Sequence, residues 1–528
     1  DTGYFMGGEG WYRKNLVLTE ADKGKRIRLY FEGVYNQAEV YVNGRKAAFN
    51  AYGYTSFKVD ATPFCDFSGK PNTIAVKVVN HGDNSRWYTG SGIYRHVWLE
   101  KTDPVHLDEW DVFVDASRVK NGRAQVRFSA KVLNAASAEG AGALNVRIVA
   151  PNGKRVFSGT KEFELKKGED AQVAMAFAVE DAQLWSPESP KMYKAVVSMK
   201  FGDMRDRLSV PFGIRTLEFS AKKGFLLNGK KTLLKGACLH HDNGMLGAVA
   251  IDRAEERKLQ LLKKNGFNAV RCSHNPPSVN FLNLCDRMGM LVVDESFDMW
   301  RKPKNPDDYH RWFDEWSERD LETMVRRDRN HPSIIMWSIG NEIPERGTDD
   351  GIATTERLVK IVKKHDVSRP VTASIHMWNY PWNDNHERGT RHLDVAGYNY
   401  PEDADYDKDH EKHPDRIVYS SETYAKTAWR TWDYVLKRPY VIGDFVWTAF
   451  DYLGEVGLAH NLYLKPGERG RHLMEWPWYN AWCGDMDFCG DKKPQSWYRD
   501  VLWGLRKISL AVHVPIPEGR KEDVSLWG

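Results

Sequence analysis

Seven short apolar runs after Gly213 are each followed at once by side chains able to bind, orient or move protons. They end in His240-His241-Asp242, Arg271-Cys-Ser-His274-Asn275, Asp294-Glu295, Asn341-Glu342, Tyr398-Asn-Tyr400, Ser421-Glu422 and Trp447. Taken singly, each carboxylate reads as a solvated loop residue and His274 as a structural histidine. Together they read differently, because a solvated loop has no need to gather seven polar strand ends and a catalytic cup does. Glu342 and Glu422 carry the sharpest chemistry. Cleavage of a glycosidic bond needs one carboxylic acid to protonate the leaving oxygen and one carboxylate on the opposite face of the sugar. Carboxyl groups about 5–5.5 Å apart retain configuration, and about 6.5–9.5 Å leaves room for water and inversion. Sequence does not supply that distance.

The elements that must position these groups begin after Gly213, where short apolar strands alternate with helical stretches in the manner of a parallel α/β domain. Eight strands are expected near Leu233–Leu239, Ala269–Cys272, Leu291–Asp294, Ile334–Ile339, Val371–Ala373, Val395–Gly397, Ile417–Ser420 and Tyr440–Trp447. Between the first two, Asp252 is expected to cap a helix with Glu255 three residues later, Leu259 and Leu262 to share its inner face, and Gly266 to stop it. Eight strand–helix units over about 300 residues fit a closed (β/α)8 barrel better than an open sheet. A doubly wound fold would also want a glycine-rich phosphate turn after its first strand, and Gly236-Ala-Cys-Leu-His-His does not supply one. In such a barrel, reacting groups sit at the C-terminal strand ends, with Glu342 and Glu422 facing each other across the mouth from strands four and seven.

Ahead of the barrel the pattern is all β. Arg26-Ile-Arg-Leu-Tyr-Phe, Ala38-Glu-Val-Tyr-Val and Thr73-Ile-Ala-Val-Lys-Val-Val alternate apolar and polar residues, with Asn43-Gly44 as a hairpin turn, and predict a sandwich from Trp11 to Glu100. A second run from Val105 to Gly213, punctuated by Asn121-Gly122 and Pro151-Asn-Gly153, predicts an immunoglobulin-like module.

Composition narrows the classes further. The chain has 528 residues, with 76 Lys and Arg against 72 Asp and Glu, a formal charge of +4 and no polybasic run suited to a phosphate backbone, so no nucleic-acid partner is expected. No stretch approaches the roughly 18 apolar residues of a membrane helix. Six scattered cysteines fit neither a disulfide scaffold nor paired zinc ligands and do not identify the compartment. A periplasmic or secreted bacterial location is preferred to the cytoplasm. The 20 Trp, 23 Tyr and 22 Phe suit large cores, and the clusters beside Asp, Glu, His and Asn also suit stacking on the C–H faces of a sugar.

The runs Gly10-Trp-Tyr-Arg, Arg86-Trp-Tyr-Thr-Gly-Ser-Gly-Ile-Tyr-Arg95, Asn268-Ala-Val-Arg-Cys-Ser-His-Asn-Pro276, Val293-Asp-Glu295 and His331-Pro-Ser-Ile-Ile-Met-Trp-Ser-Ile-Gly-Asn-Glu342 resemble glycoside hydrolase family 2 over essentially the whole chain. The resemblance implies a jelly-roll-like sugar-binding sandwich over 1–103, incomplete at its N-terminus, then an immunoglobulin-like sandwich over 104–215 and a catalytic (β/α)8 barrel over 216–515. Residues 516–528 are expected as a tail or the start of a further domain. It also implies Glu342 as acid/base, Asn341 as partner of the sugar 2-hydroxyl, and Glu422 in Tyr419-Ser-Ser-Glu-Thr-Tyr as nucleophile. Tyr400 is expected to donate to that nucleophile, and His274, Trp447, Arg86 and Trp87 to contact substrate. The Mg²⁺ ligands of some large members find no match here, so neither metal nor cofactor is expected.

What results is the expectation of a retaining exo-β-glycosidase acting on terminal β-D-galactosides, its partner an oligosaccharide or β-galactoside. β-Glucuronidase or β-mannosidase activity on the same scaffold is the nearest rival, and a non-catalytic carbohydrate-binding protein the more distant one. A neutral sugar is favoured because β-glucuronidases of the family resemble one another in an Asn-x-Lys-Gly element, over which Cys483-Gly-Asp485-Met486 aligns. Asp485 then stands where the lysine would be, and is expected to accept hydrogen bonds from sugar hydroxyls. Aglycone, linkage and oligomeric state have no local signature, and a homo-oligomer stays open.

Overall fold

The computed structural model describes residues 5–376, 384–469 and 476–524. The first layer is a sandwich whose four-stranded sheet runs in the order Gly8–Val17, Pro71–Asn80, Ala38–Val42, Arg45–Asn50. A three-stranded sheet of Phe57–Asp60, Arg26–Phe31 and Val97–Thr102 faces it. Alternation along these strands turns Ile27, Leu29, Phe31, Val40, Val42, Phe57, Val59, Val76 and Val78 into one shared core. Asn43 and Gly44 both take positive φ, 51° and 77°, as the expected two-residue hairpin requires. A second sandwich pairs the sheet of Val105–Leu107, Arg123–Asn134, Phe113–Lys120 and Ala171–Val179 with that of Arg155–Leu165, Gly140–Val149, Met192–Phe201 and Met204–Gly213.

Eight parallel strands then close on themselves. They are β1 (Leu234–Leu239), β2 (Ala269–Cys272), β3 (Leu291–Glu295), β4 (Ile334–Asn341), β5 (Val371–His376), β6 (Val395–Asn399), β7 (Val418–Thr423) and β8 (Val441–Val446). The strands β3 to β7 run one to three residues beyond the apolar runs that predict them. The added residues include the polar Glu295, Asn341, Asn399 and Glu422, which remain paired with the neighbouring strand, past register shifts before Asn341 and Asn399, and stay out of water. Apolarity marks where a strand is buried in hydrocarbon, and pairing continues past it.

Helix α1 (Asp252–Lys264) buries Leu259 and Leu262 and is followed by Gly266 at φ 80°. The expected capping box is absent: Ile251 is the N-cap, and Glu255 is drawn inward to accept from Ser278 Oγ at 2.6 Å and Asn280 Nδ2 at 2.9 Å. Within 516–528, Lys521–Val524 pairs antiparallel with Asn461–Leu464, and residues 525–528 lie outside the described residues.

The first sandwich is stapled onto the barrel mouth. Tyr52 donates to the Ser296 carbonyl at 2.6 Å, Arg95 to the Pro276 carbonyl at 2.7 Å, and the Tyr88 amide to the Leu453 carbonyl at 3.1 Å. The segment Ser85-Arg86-Trp87 thereby reaches the polar ends of the barrel strands.

Candidate active site

Arg271, in β2 and fully buried, is the hub of the cup. Its fork grips Glu295 through Nε at 3.0 Å and Nη2 at 2.8 Å, while Nη1 donates to Glu422 at 2.8 Å and Nη2 to the side-chain oxygen of Asn341 at 2.9 Å. One planar cation thus fixes side chains from β3, β4 and β7, a task suited to guanidinium rather than ammonium. His274 follows β2 and places Nδ1 2.8 Å from Glu295, with Nε2 3.3 Å from Asn341 Nδ2. Asn341 also donates to Asp298 at 2.8 Å, and Asn399 bridges the oxygens of Asn341 and Glu342, each at 3.1 Å. Glu422 and Glu342 are therefore the two ends of one network, Glu422–Arg271–Asn341–Asn399–Glu342.

Two of these positions are strained. Glu342 and Tyr400, each directly after a strand, have φ of 46° and 54°, a region that costs side-chain-bearing residues about 1–3 kcal/mol. Backbone bonds hold them there, from Glu342 to the Ser374 carbonyl at 2.8 Å and from Tyr400 to the Glu422 carbonyl at 2.7 Å. The turn re-aims both side chains over the mouth. The Tyr400 side chain hydrogen-bonds Glu422, and its ring stacks on Tyr424 at 4.4 Å.

The two glutamates differ electrostatically. Burial and the nearby Glu342 carboxylate push Glu422 up to about 8, against the pull of Arg271 and Tyr400. Desolvation also works to raise Glu342, but Lys304, His376 and Arg86, with the hydrogen bond from Asn399, outweigh it and hold its carboxyl below the usual range. Asp298 is buried yet kept well below the carboxylate range, chiefly by Arg86 and Lys304. His274 is held neutral by burial. Two interacting carboxyls that share one proton at neutral pH can do acid, base and nucleophilic work at one mouth.

The aromatic wall completes the cup. Trp447, after β8, lies parallel to His274 at 5.2 Å. Trp87, expected to contact substrate, stacks on His240 at 4.8 Å, meets His274 edge-on at 5.4 Å and spends its indole N–H on the Tyr54 hydroxyl at 3.2 Å. Arg86 enters from the sandwich and grips Asp298 through Nη2 at 2.8 Å and Nε at 3.2 Å.

Asp485 requires a correction. Its carboxylate is fully buried and held by Arg499 of helix α2 (Pro494–Leu502), Nε at 2.6 Å and Nη2 at 3.5 Å, so it has no oxygen to offer a sugar. Burial without a cation would be costly, and Arg499 supplies the cation. The structure brings together Glu342, Glu422, Asn341, His274, Tyr400, Trp447 and Arg86, and leaves Asp485 outside.

Sequence reasoning gave no role to Arg271, Glu295 or Asn399, although all three stand in the polar strand ends that it marked. Asp298, Lys304 and Glu455 had no such signal, because they sit in loops beyond the strands. Lys304 donates to Asp298 at 2.7 Å and to the Asn341 carbonyl at 3.0 Å. Among the described residues, no group of three or more His, Cys, Asp or Glu side chains is arranged to hold a metal ion, and no helix is long and apolar enough to cross a membrane.

Comparison with known proteins agrees with this geometry. Residues 5–104 match the family described as "Glycosyl hydrolases family 2, sugar binding domain", 105–215 match "Glycosyl hydrolases family 2", and 220–477 match "Glycosyl hydrolases family 2, TIM barrel domain". The chain is 36% identical to the β-galactosidase BoGH2A of Bacteroides ovatus, over 99% of this chain and 68% of that protein. It is 28% identical to a β-glucuronidase of Bacteroides fragilis, over 86% of this chain and 70% of that protein. Among solved structures, a glycosyl hydrolase family 2 member from Bacteroides cellulosilyticus superposes with a TM-score of 0.90 at 45% identity. That match covers 95% of this chain and 63% of the other, so this chain spans less than two thirds of that structure.

Proposed function

Because the chain belongs to glycoside hydrolase family 2, we propose that it is a retaining exo-β-glycosidase acting on terminal β-D-galactosides, with Glu422 as nucleophile and Glu342 as acid/base. The observation that carries this reading is the unequal support of the two carboxylates. Glu422 is gripped by Arg271 and Tyr400, which favours its ionised form as the reaction proceeds. Glu342 is partly open at the mouth and accepts a hydrogen bond from Asn399, which suits a group that must gain and lose a proton.

In the first step the Glu422 carboxylate attacks the anomeric carbon as the bond to the leaving oxygen breaks, and that oxygen takes the Glu342 proton. In the second, Glu342 takes a proton from water, the resulting hydroxide attacks the anomeric carbon, and the ester to Glu422 breaks with the carboxylate restored. The first step starts from a pair holding one proton between them; the second starts with Glu342 ionised and Glu422 esterified, and ends with that one proton restored to the pair. Without substrate, that proton favours Glu422. Positive charge developing at the anomeric carbon favours ionised Glu422, and the glycosidic oxygen gives the Glu342 proton an acceptor, so the reactive form is the other arrangement of the same one-proton state. Asn341, anchored by Arg271 and Asp298, is assigned to the sugar 2-hydroxyl.

A neutral sugar is favoured by how the cations near Glu342 are spent. Lys304 and Arg86 both donate to Asp298, and Arg86 also faces Glu455 across 3.7 Å, so their charges are already matched. With Asp485 committed to Arg499, this matching replaces it as the argument against a uronic acid. The test is kcat/KM for p-nitrophenyl β-galactoside, β-glucuronide and β-mannoside under one set of conditions. The galactoside is expected to lead, and a preference for the glucuronide or mannoside would overturn the assignment.

A further inference from the structure

We infer that Arg86 and Glu455, contributed by the sandwich and by the loop after β8, together read a hydroxyl of the bound sugar remote from its anomeric carbon. The inference rests on the exo-glycosidase reading and goes beyond it by adding Glu455 as a specificity-determining residue.

The geometry is that of a donor and an acceptor waiting for a third group. Arg86 spends Nε and Nη2 on Asp298, which leaves Nη1 facing Glu455 Oε1 at 3.7 Å. That is too long for a direct hydrogen bond. A hydroxyl can accept from the guanidinium and donate to the carboxylate at once, a pairing neither charge offers to a methylene. The other Glu455 oxygen accepts from the Tyr452 hydroxyl, whose oxygen in turn takes the Trp447 indole N–H at 3.3 Å, so the carboxylate is tied to the aromatic wall of the cup. The Arg86 and Glu455 side chains remain 28% and 18% exposed, enough to touch a ligand, while Asp298, Arg271 and Glu295 are shut away.

The backbone fixes the pair. Trp87 and Gly454, each next to one of the two residues, form an antiparallel bridge between sandwich and barrel, reinforced by the Tyr88 amide on the Leu453 carbonyl at 3.1 Å. Gly454 has φ 86°, and a Cβ there would stand 2.4 Å from the Tyr88 nitrogen, so close approach of the two loops demands glycine. Glu455 itself has φ 43°, a left-handed turn that an acidic residue adopts at a cost. Glu342 is near enough that its charge acts on both members of the pair. The anomeric side belongs to Glu342 and Glu422, and the 2-hydroxyl is assigned to Asn341, which leaves the 3-, 4- and 6-hydroxyls for Arg86 and Glu455.

The test measures kcat/KM of the wild-type chain, Glu455→Ala and Glu455→Gln on p-nitrophenyl β-galactoside and on its 3-, 4- and 6-deoxy forms. On the parent sugar Glu455→Ala is expected to lose on the order of 100-fold, because a buried donor loses its acceptor, and Glu455→Gln less. On one deoxy sugar both variants should fall less than about threefold, since the hydroxyl they would hold is already gone. Equal losses on the parent and all three deoxy sugars would overturn the inference and leave the glycosidase reading standing. Absence of any wild-type turnover would overturn both. Glu455→Gln preserves the shape of the side chain, so its pattern decides the matter if Glu455→Ala fails to fold.

Discussion

Arg271 donates from Nη1 to Glu422 at 2.8 Å with both side chains shut away from solvent, so the carboxylate assigned as nucleophile is held by a cation whose ion pairs among the described residues are with Glu422 and Glu295. Removing that cation strands two buried carboxylates. Arg271→Met is expected to destabilise the protein by roughly 3–5 kcal/mol. It should also raise the Glu422 pKa further, because one of the groups holding it down is lost. Thermal unfolding of the variant checks the first effect, and a shift smaller than that of a typical surface substitution would contradict it.

For Glu342, the expectation is selective damage. Glu342→Ala should slow substrates with poor leaving groups by on the order of 10²–10⁴, while dinitrophenyl glycosides, which hardly need protonation, lose far less in the first step. Azide should restore turnover by replacing the water that Glu342 activates. Equal losses across leaving groups would remove Glu342 from the role.

The shared proton predicts a bell-shaped dependence of kcat/KM on pH, with an alkaline limb near 8 where the pair gives up its last proton. Glu342→Gln removes one of the two causes that raise Glu422, so the nucleophile should ionise at lower pH. With a dinitrophenyl glycoside, whose cleavage needs only ionised Glu422, the variant's rate should rise with pH and level off below 8. A midpoint at or above 8 would show that the two carboxylates do not interact.

How far the sequence was legible follows from the physics of each residue. The eight strands and two sandwiches could be read because burial leaves a pattern in the chain, an alternation at the start of Arg26–Phe31 and an unbroken apolar run at the start of Leu291–Glu295. Glu342, Glu422, Asn341, His274 and Tyr400 could be singled out because they sit where strands end. Which of them meet could not be read. Contacts such as Arg271 with Glu422, 151 positions away, depend on strand order around the barrel, and Arg86 with Asp298 depends on how a sandwich docks. Asp485 was misread for a related reason. An alignment places a residue in the chain, but its partner Arg499 lies one helical segment later and turns the carboxylate inward.

That correction is itself testable. Among the described residues, Asp485→Asn leaves Arg499 with Asp444 as its ion-pair partner, whose carboxylate is 3.5 Å away, and should lower the unfolding temperature. The ratio of kcat/KM between galactoside and glucuronide should stay the same. A change in that ratio without loss of stability would return Asp485 to the substrate site.

The account stands most directly on the covalent intermediate. Incubation with an activated 2-deoxy-2-fluoro β-galactoside, followed by proteolysis and mass mapping, is predicted to find the sugar esterified to Glu422, because fluorine slows breakdown of the ester more than the proton transfers around it. The first product released from an ordinary substrate should keep its anomeric configuration. A label on any other residue, or an inverted first product, would contradict the assignment of Glu422 and the retaining mechanism with it.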